Sequence, residues 1–188
     1  MGKAEATKER ILEAAMAEFS AYGVAGARVD RIARTAGCNK NLIYVYFENK
    51  ETLFTTVLEK HLSRVYSDMV VTPDDLPGQA GRVFDFAMEN RDLMRLLAWS
   101  NLEEQATEPA ARAKVHDSKV AGIAAAQADG KLNPEFPAGF LLTLVMTLAT
   151  AYTAANPFAS LDPEATKDTV ALRHHITEAV RLITTSAE

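Results

Sequence analysis

Apolar positions recur along this chain with a period near 3.6, and the pattern is sharpest between residues 28 and 53. Val29, Ile32, Ala33 and Ala36 stand at i, i+3, i+4 and i+7, which places them on one face of a short helix. Gly37 follows at once and offers the positive-φ conformation that ends such a helix. Asn39 is a ready N-cap, and Ile43, Tyr46 and Phe47 supply the next apolar stripe. Two short helices joined by a Gly-containing turn form the helix-turn-helix unit, here spanning about 28–47. Ahead of it, a helix runs from a cap at Thr7 to about Tyr22, with Glu9 in its first turn and Gly23 closing it. Its stripe is Ile11, Leu12, Ala15, Phe19 and Tyr22, so Phe19, Ile32, Ile43 and Phe47 are the expected centre of a three-helix head.

Asn49 caps a fourth helix with apolar positions from Leu53 to Met69, roughly 20 residues or about 30 Å. Thr72-Pro73 and Pro77-Gly78 break it. Further helices are predicted from Pro77 to Met88, from a cap at Asp92 to Leu102, and from Pro109 to Gly130. Residues 138–155, AGFLLTLVMTLATAYTAA, contain no charge. Their threonines and alanines and the lack of a Lys/Arg-rich flank argue against a membrane span. A helix buried on all sides fits better, and a second copy of the chain is what would surround it. The last helix starts at Asp162-Pro163-Glu164 and repeats Leu172, Ile176, Val180 and Ile183. Two helices per chain, about 137–156 and 163–185, would close a four-helix bundle in a homodimer. The fold class expected is therefore all-α with about nine helices, a head over 5–65 and a second domain over 66–188. No strand-like alternation, internal repeat or low-complexity tract interrupts it.

Charge sharpens this division. The whole chain of 188 residues has a net charge of −5, but residues 1–50 carry net +2 and residues 51–188 net −7. From Arg28 to Lys40 the net charge is +3, and two tyrosines and Lys50 follow. A cationic, hydroxyl-bearing helical surface suits phosphate oxygens and base edges in a major groove, with an acidic body repelling stray DNA.

With that order laid out, the run VDRIARTAGCNKNLIYVYFENKETLF and the entry helix KERILEAAMAEFSAYG resemble the TetR family of transcriptional regulators. The resemblance is strong over residues 5–65 and architectural beyond. It implies an all-helical homodimer with a DNA-binding head, a ligand-binding body and a C-terminal dimer bundle. It further implies a repressor released by a small molecule that tilts the fourth helix. By the family pattern, the helix from about Asn39 to Tyr46 enters the major groove. Lys40, Tyr44, Tyr46 and Lys50 fall at phosphate positions, and Asn41, Leu42 and Val45 fall where base edges are read. The chain departs from the pattern at Ala27-Arg28, where a threonine cap is usual. That loss costs about 1 kcal/mol, and Arg28 reaches either guanine or a phosphate.

For an effector, the body offers an apolar wall of Tyr66, Phe84, Met88, Leu96, Trp99, Val120 and Ile123. Asn101, His116, Gln127 and Tyr152 are the polar groups able to orient a ligand. The bland reading of each apolar member is core packing. The single cysteine, Cys38, excludes an internal disulfide and a cysteine-rich metal site and fits a reducing cytoplasm. Adjacent His174 and His175 point about 100° apart on a helix and are poor joint ligands, and His61 and His116 have no spacing relation to them, so no metal or other cofactor is expected. The first residues, MGKAEATKERILEAAMAEF, lack an uninterrupted apolar core and read as no signal or transit peptide. No G-x-S-x-G, P-loop or H-E-x-x-H motif supports an enzyme. The expected partners are double-stranded operator DNA, a second copy of the chain and a small effector, with no membrane.

Overall fold

The computed structural model describes residues 2–68, 72–102, 110–154, 156, 158, 164 and 166–185, with side chains undescribed at 3, 62–68 and 110–112. Among the described residues there are nine α-helices and no strand. They fall into two compact units, residues 1–65 with 92–107 and residues 66–91 with 108–188.

The first unit opens with α1 (Lys3–Gly26), which begins four residues before the expected cap. Gly2 precedes it without a side-chain cap, and the Thr7 hydroxyl accepts from Arg10 inside the helix. Gly23 does break the regular helix, at φ 65 and ψ 179, and the chain makes one further turn to Gly26. Next come α2 (Val29–Ala36) and α3 (Lys40–Phe47). Between them Gly37 sits in the left-handed region at φ 64, and the Cys38 N–H returns to the Ala33 carbonyl. This is a Schellman-type ending, and it satisfies carbonyls that the end of α2 would otherwise leave orphaned. The Asn39 side chain caps α3 by accepting from the Asn41 N–H at 2.9 Å.

Glu48 links α3 to α4 (Lys50–Asp68) and has positive φ, 62°, without being glycine. The Asn49 N–H reaches the Phe47 carbonyl across it at 2.6 Å, a strained γ-turn held by the helices on either side. Phe19 of α1 meets Phe54 of α4 edge-on at 5.2 Å between ring centroids. The buried set expected of the head (Phe19, Ile32, Ile43 and Phe47) is buried in the fold.

The unit also takes in α6 (Arg91–Leu102), which lies outside the 5–65 segment. Arg95 and the Trp99 indole N–H both donate to the Ser20 carbonyl, at 3.1 and 3.3 Å. The break at Gly23 frees carbonyls near the end of α1, which is why donors from a distant helix can dock there.

The second unit contains α5 (Leu76–Glu89), α7 (Ala110–Ala128), α8 (Ala138–Ala149) and α9 (Thr169–Thr184). Helix α5 packs along α9 and against α8, and α7 lies on α8. Phe84, Ile123, Leu141, Val145, Ile176 and Val180 are buried together at the centre. Asp75 caps α5 through the Gly78 N–H and holds Arg82 as well. Helix α8 stops at Ala149, well short of the charge-free run, and turns follow from Thr150. Among the described residues no helix is long and apolar enough to cross a membrane. The start expected at Asp162-Pro163 lies outside the described residues; Glu164 and residues 166–167 are in turns, and α9 takes its cap from Asp168, which accepts the Ala171 N–H.

Candidate nucleic-acid interface

The outward side of α2 and α3 carries the residues singled out for DNA. Within α3, Ile43 and Phe47 turn inward, and this leaves Val45 on the opposite side at 75% exposure. Asn41 and Tyr44 are exposed beside it, and Leu42 is half-buried. An exposed valine two residues from each of two core positions gains nothing from folding, so the residue is available to an outside partner. Tyr46 is half-buried and turned toward α1, its hydroxyl 3.5 Å from the Ala4 carbonyl, too long for a strong hydrogen bond. Of the two tyrosines assigned to phosphates, Tyr44 is thus the one with the freer ring.

The cationic surface is smaller in structure than in sequence. Lys40 pairs with Asp30 of α2 at 3.0 Å, and this partner raises its ammonium above the ordinary lysine value. Such an exposed pair is weak and screened by salt, so a phosphate can displace Asp30. Arg31 is turned away altogether and meets the Glu18 carboxylate at 2.6 Å. The Lys50 ammonium rests on the Ala27 carbonyl at 3.4 Å. Arg28 and Arg34 are exposed, and among the described residues neither side chain has an ion pair or hydrogen bond.

Glu18 is the residue that sequence reasoning missed. It is a nearly buried carboxylate, 9% exposed, and accepts the Arg28 N–H at 2.8 Å. Burial pushes its carboxyl up, but the Arg31 hydrogen bond, the Arg28 N–H and the charges of both arginines outweigh burial and hold it below the ordinary glutamate value. As expected, Arg28 gives α2 no side-chain cap; what Glu18 holds, from another helix, is the N–H of the N-cap residue itself. A glutamate beside Phe19 in an amphipathic helix gives no sign of this, because its partners are 10 and 13 residues away.

The expected effector wall divides. Phe84 and Ile123 are buried in the second unit's core, with Met88 and Val120 packed against it. Leu96 and Trp99 instead belong to the first unit, where Leu96 is buried and Trp99 is tied to Ser20. Asn101 and His116 are exposed, and the Tyr66 side chain lies outside the described residues. Gln127 is committed to the α7–α8 link, its amide donating to the Asn133 and Phe136 carbonyls at 2.8 Å each. Lys119 was not foreseen. It stands one turn before buried Ile123, is half-buried, and burial alone pushes its ammonium below the ordinary lysine value. A lysine four residues before a core isoleucine is the sequence signal for it.

Residues 11–57 match the family described as "Bacterial regulatory proteins, tetR family", and residues 75–181 match "Tetracyclin repressor-like, C-terminal domain". The chain belongs to the TetR family. An HTH-type transcriptional repressor of Streptomyces coelicolor, SCO4008, is 43% identical over 148 residues, or 77% of each chain. The crystal structure of a transcriptional regulator from the same organism, SCO4942, superposes with a TM-score of 0.85 at 32% identity, covering 95% of this chain and 98% of that one. FadR of Bacillus subtilis, solved with stearoyl-CoA, shares the fold at a TM-score of 0.66 and 17% identity, over 92% of this chain and 96% of that one. As in other TetR-family regulators, α1 to α3 form the helix-turn-helix head for DNA; the match to the family's C-terminal domain takes in most of the second unit and also α6, which packs with the first.

Proposed function

We propose that this TetR-family chain is a repressor that binds a near-palindromic operator as a homodimer, with α3 in the major groove. The observation that carries the reading is the outward face of α3, where Asn41, Tyr44 and Val45 are exposed while Ile43 and Phe47 anchor the helix. Val45 touches thymine methyls and Asn41 pairs with adenine, with Leu42 beside them; Lys40, Tyr44, Tyr46 and Lys50 hold phosphates. The two recognition helices of a dimer then lie about 34–36 Å apart or somewhat more.

Support for the dimer comes from α8 and α9. Phe140, Thr143 and Thr147 form an exposed, charge-free stripe on α8, and Val170 and Leu182 of α9 are 79% and 66% exposed. Helices that pack together inside the unit yet leave apolar side chains outside are suited to a second copy. A small apolar or aromatic effector in the second unit releases the operator by favouring a state that cannot engage both half-sites. Lys119 is the group there that would meet an acidic substituent on it.

Selection of bound duplexes from a random pool tests the operator reading, with a palindromic consensus as the expected outcome. Lys50→Ala then weakens binding to all sequences and lowers the salt slope by about 0.9, whereas Val45→Ala shifts sequence preference. A Lys50→Ala protein with the parental slope removes the phosphate assignment.

A further inference from the structure

Three backbone groups just before α2 are each held by a charged side chain. The Gly26 carbonyl accepts from the Arg31 guanidinium at 3.1 Å, the Ala27 carbonyl accepts from Lys50 of α4 at 3.4 Å, and the Arg28 N–H donates to Glu18 of α1 at 2.8 Å. The last two act on opposite sides of one peptide group, Ala27–Arg28. Beyond it, the Arg28 carbonyl accepts from the Arg31 and Ile32 N–H groups at 2.9 and 3.1 Å, so the Arg28 backbone is determined on both sides. Arg31 completes the arrangement. Its Nε lies 2.8 and 3.1 Å from the two Glu18 oxygens, and its guanidinium stacks on the Tyr22 ring at 4.3 Å from the centroid.

Clamped in this way, α2 presents one cation at its start and spends another inside. Arg31, which by charge counting belongs to the DNA surface, is neutralised by Glu18. Arg28 is exposed with no ion pair among the described residues. In a helix-turn-helix the first helix of the pair crosses the DNA backbone, so an exposed guanidinium at its N-terminal end meets phosphate. We propose that Glu18 is a positioning residue for DNA binding: with Arg31 as its counter-ion it fixes the Ala27–Arg28 peptide and so aims Arg28 at a backbone phosphate. This rests on the reading of α2 and α3 as the docking face.

A double-mutant cycle tests the proposal on full-length protein and a duplex recovered from the random pool. Arg28→Ala lowers the salt slope by about 0.9, the signature of one lost phosphate contact. Glu18→Ala produces the same fall in slope and weakens binding on the order of tenfold, whereas in the Arg28→Ala background it changes affinity by less than about twofold. A merely structural role lowers the folded fraction and leaves the slope of the folded protein alone. Glu18→Gln keeps a carbonyl acceptor for the Arg28 N–H and serves if the alanine variant does not fold; it shows the same coupling to Arg28 at reduced size. Equal losses in both backgrounds, or an unchanged slope, overturn the positioning role while leaving DNA binding intact. A parental protein that binds no duplex overturns the docking face and this proposal together.

Discussion

Gly37 in the head and Gly81 in the second unit are glycines for opposite reasons. In the head, Gly37 has φ +64, and a Cβ added there would meet nothing within 4 Å. Its role is conformational: only the backbone demands it. In the second unit, Gly81 has ordinary helical geometry, but an added Cβ would lie 2.7 Å from Nη2 of Arg173. Its role is spatial, because the Arg173 guanidinium crosses α5 there to reach Asp85 at 2.8 Å. A second contrast lies in how the helices of each unit are held. The head is small, its helices α2 and α3 are eight residues each, and its turns are fixed one hydrogen bond at a time. Helices that short are not stable by themselves and depend on caps and tertiary contacts. The second unit relies on long helices and a continuous apolar core.

The largest expected effect tests whether the outer face of the second unit serves another copy and not its own fold. Phe140→Glu leaves the monomer folded, since Phe140 is half exposed, but turns a dimer near twice 20.5 kDa into a monomer in sedimentation. Operator affinity then falls by roughly 100-fold or more, because two half-sites are no longer linked. Next in size, Gly37→Ala costs the head about 1–2 kcal/mol, since an L-residue must take the left-handed conformation; denaturant melts read the loss. Gly81→Ala costs less than about 1 kcal/mol, as it displaces the end of a flexible arginine from an exposed pair and nudges the Thr177 methyl, 3.1 Å from the added Cβ. If Gly81→Ala proved the costlier, the contrast drawn from the two glycines would be reversed.

The smallest effect is acidic. The Glu18 carboxylate titrates lower in the folded head than in the unfolded chain, so its stabilisation is complete above the ordinary glutamate value of about 4.3. That stabilisation drains away as pH falls through the lower folded value. Thermal melts taken downward from neutral pH show this loss in the parental protein, and a Glu18→Gln variant lacks that component.

Much of the fold was legible because its signals are local. The stripe Val29-Ile32-Ala33-Ala36, the turn at Gly37 and the cap at Asn39 lie within a dozen residues, and all three hold in the structure. Boundaries fared less well where two signals competed. Thr7 looks like a cap, yet Ala4, Glu5 and Ala6 are good helix formers and carry α1 back to Lys3. The uncharged run 138–155 reads as one long helix, but the helix ends at Ala149, where the Thr150 hydroxyl donates to the Met146 carbonyl at 2.8 Å and turns follow.

By itself the sequence determined the all-α class, the helix-turn-helix in the head and the residues that face out from α3. Periodicity, caps and glycines act over a turn or two, so they can be read without a fold. Tertiary structure alone decided which charges are available. Glu18 and Arg31 meet across two helices, Asp30 captures Lys40, and Trp99 goes to Ser20 and not to the second unit's core. A charge or an aromatic ring has no periodicity to announce its partner; where it points depends on which helices pack beside it. Arg28 is left exposed at the start of α2 for that reason, without an ion pair among the described residues, and a count of lysines and arginines does not separate it from Arg31.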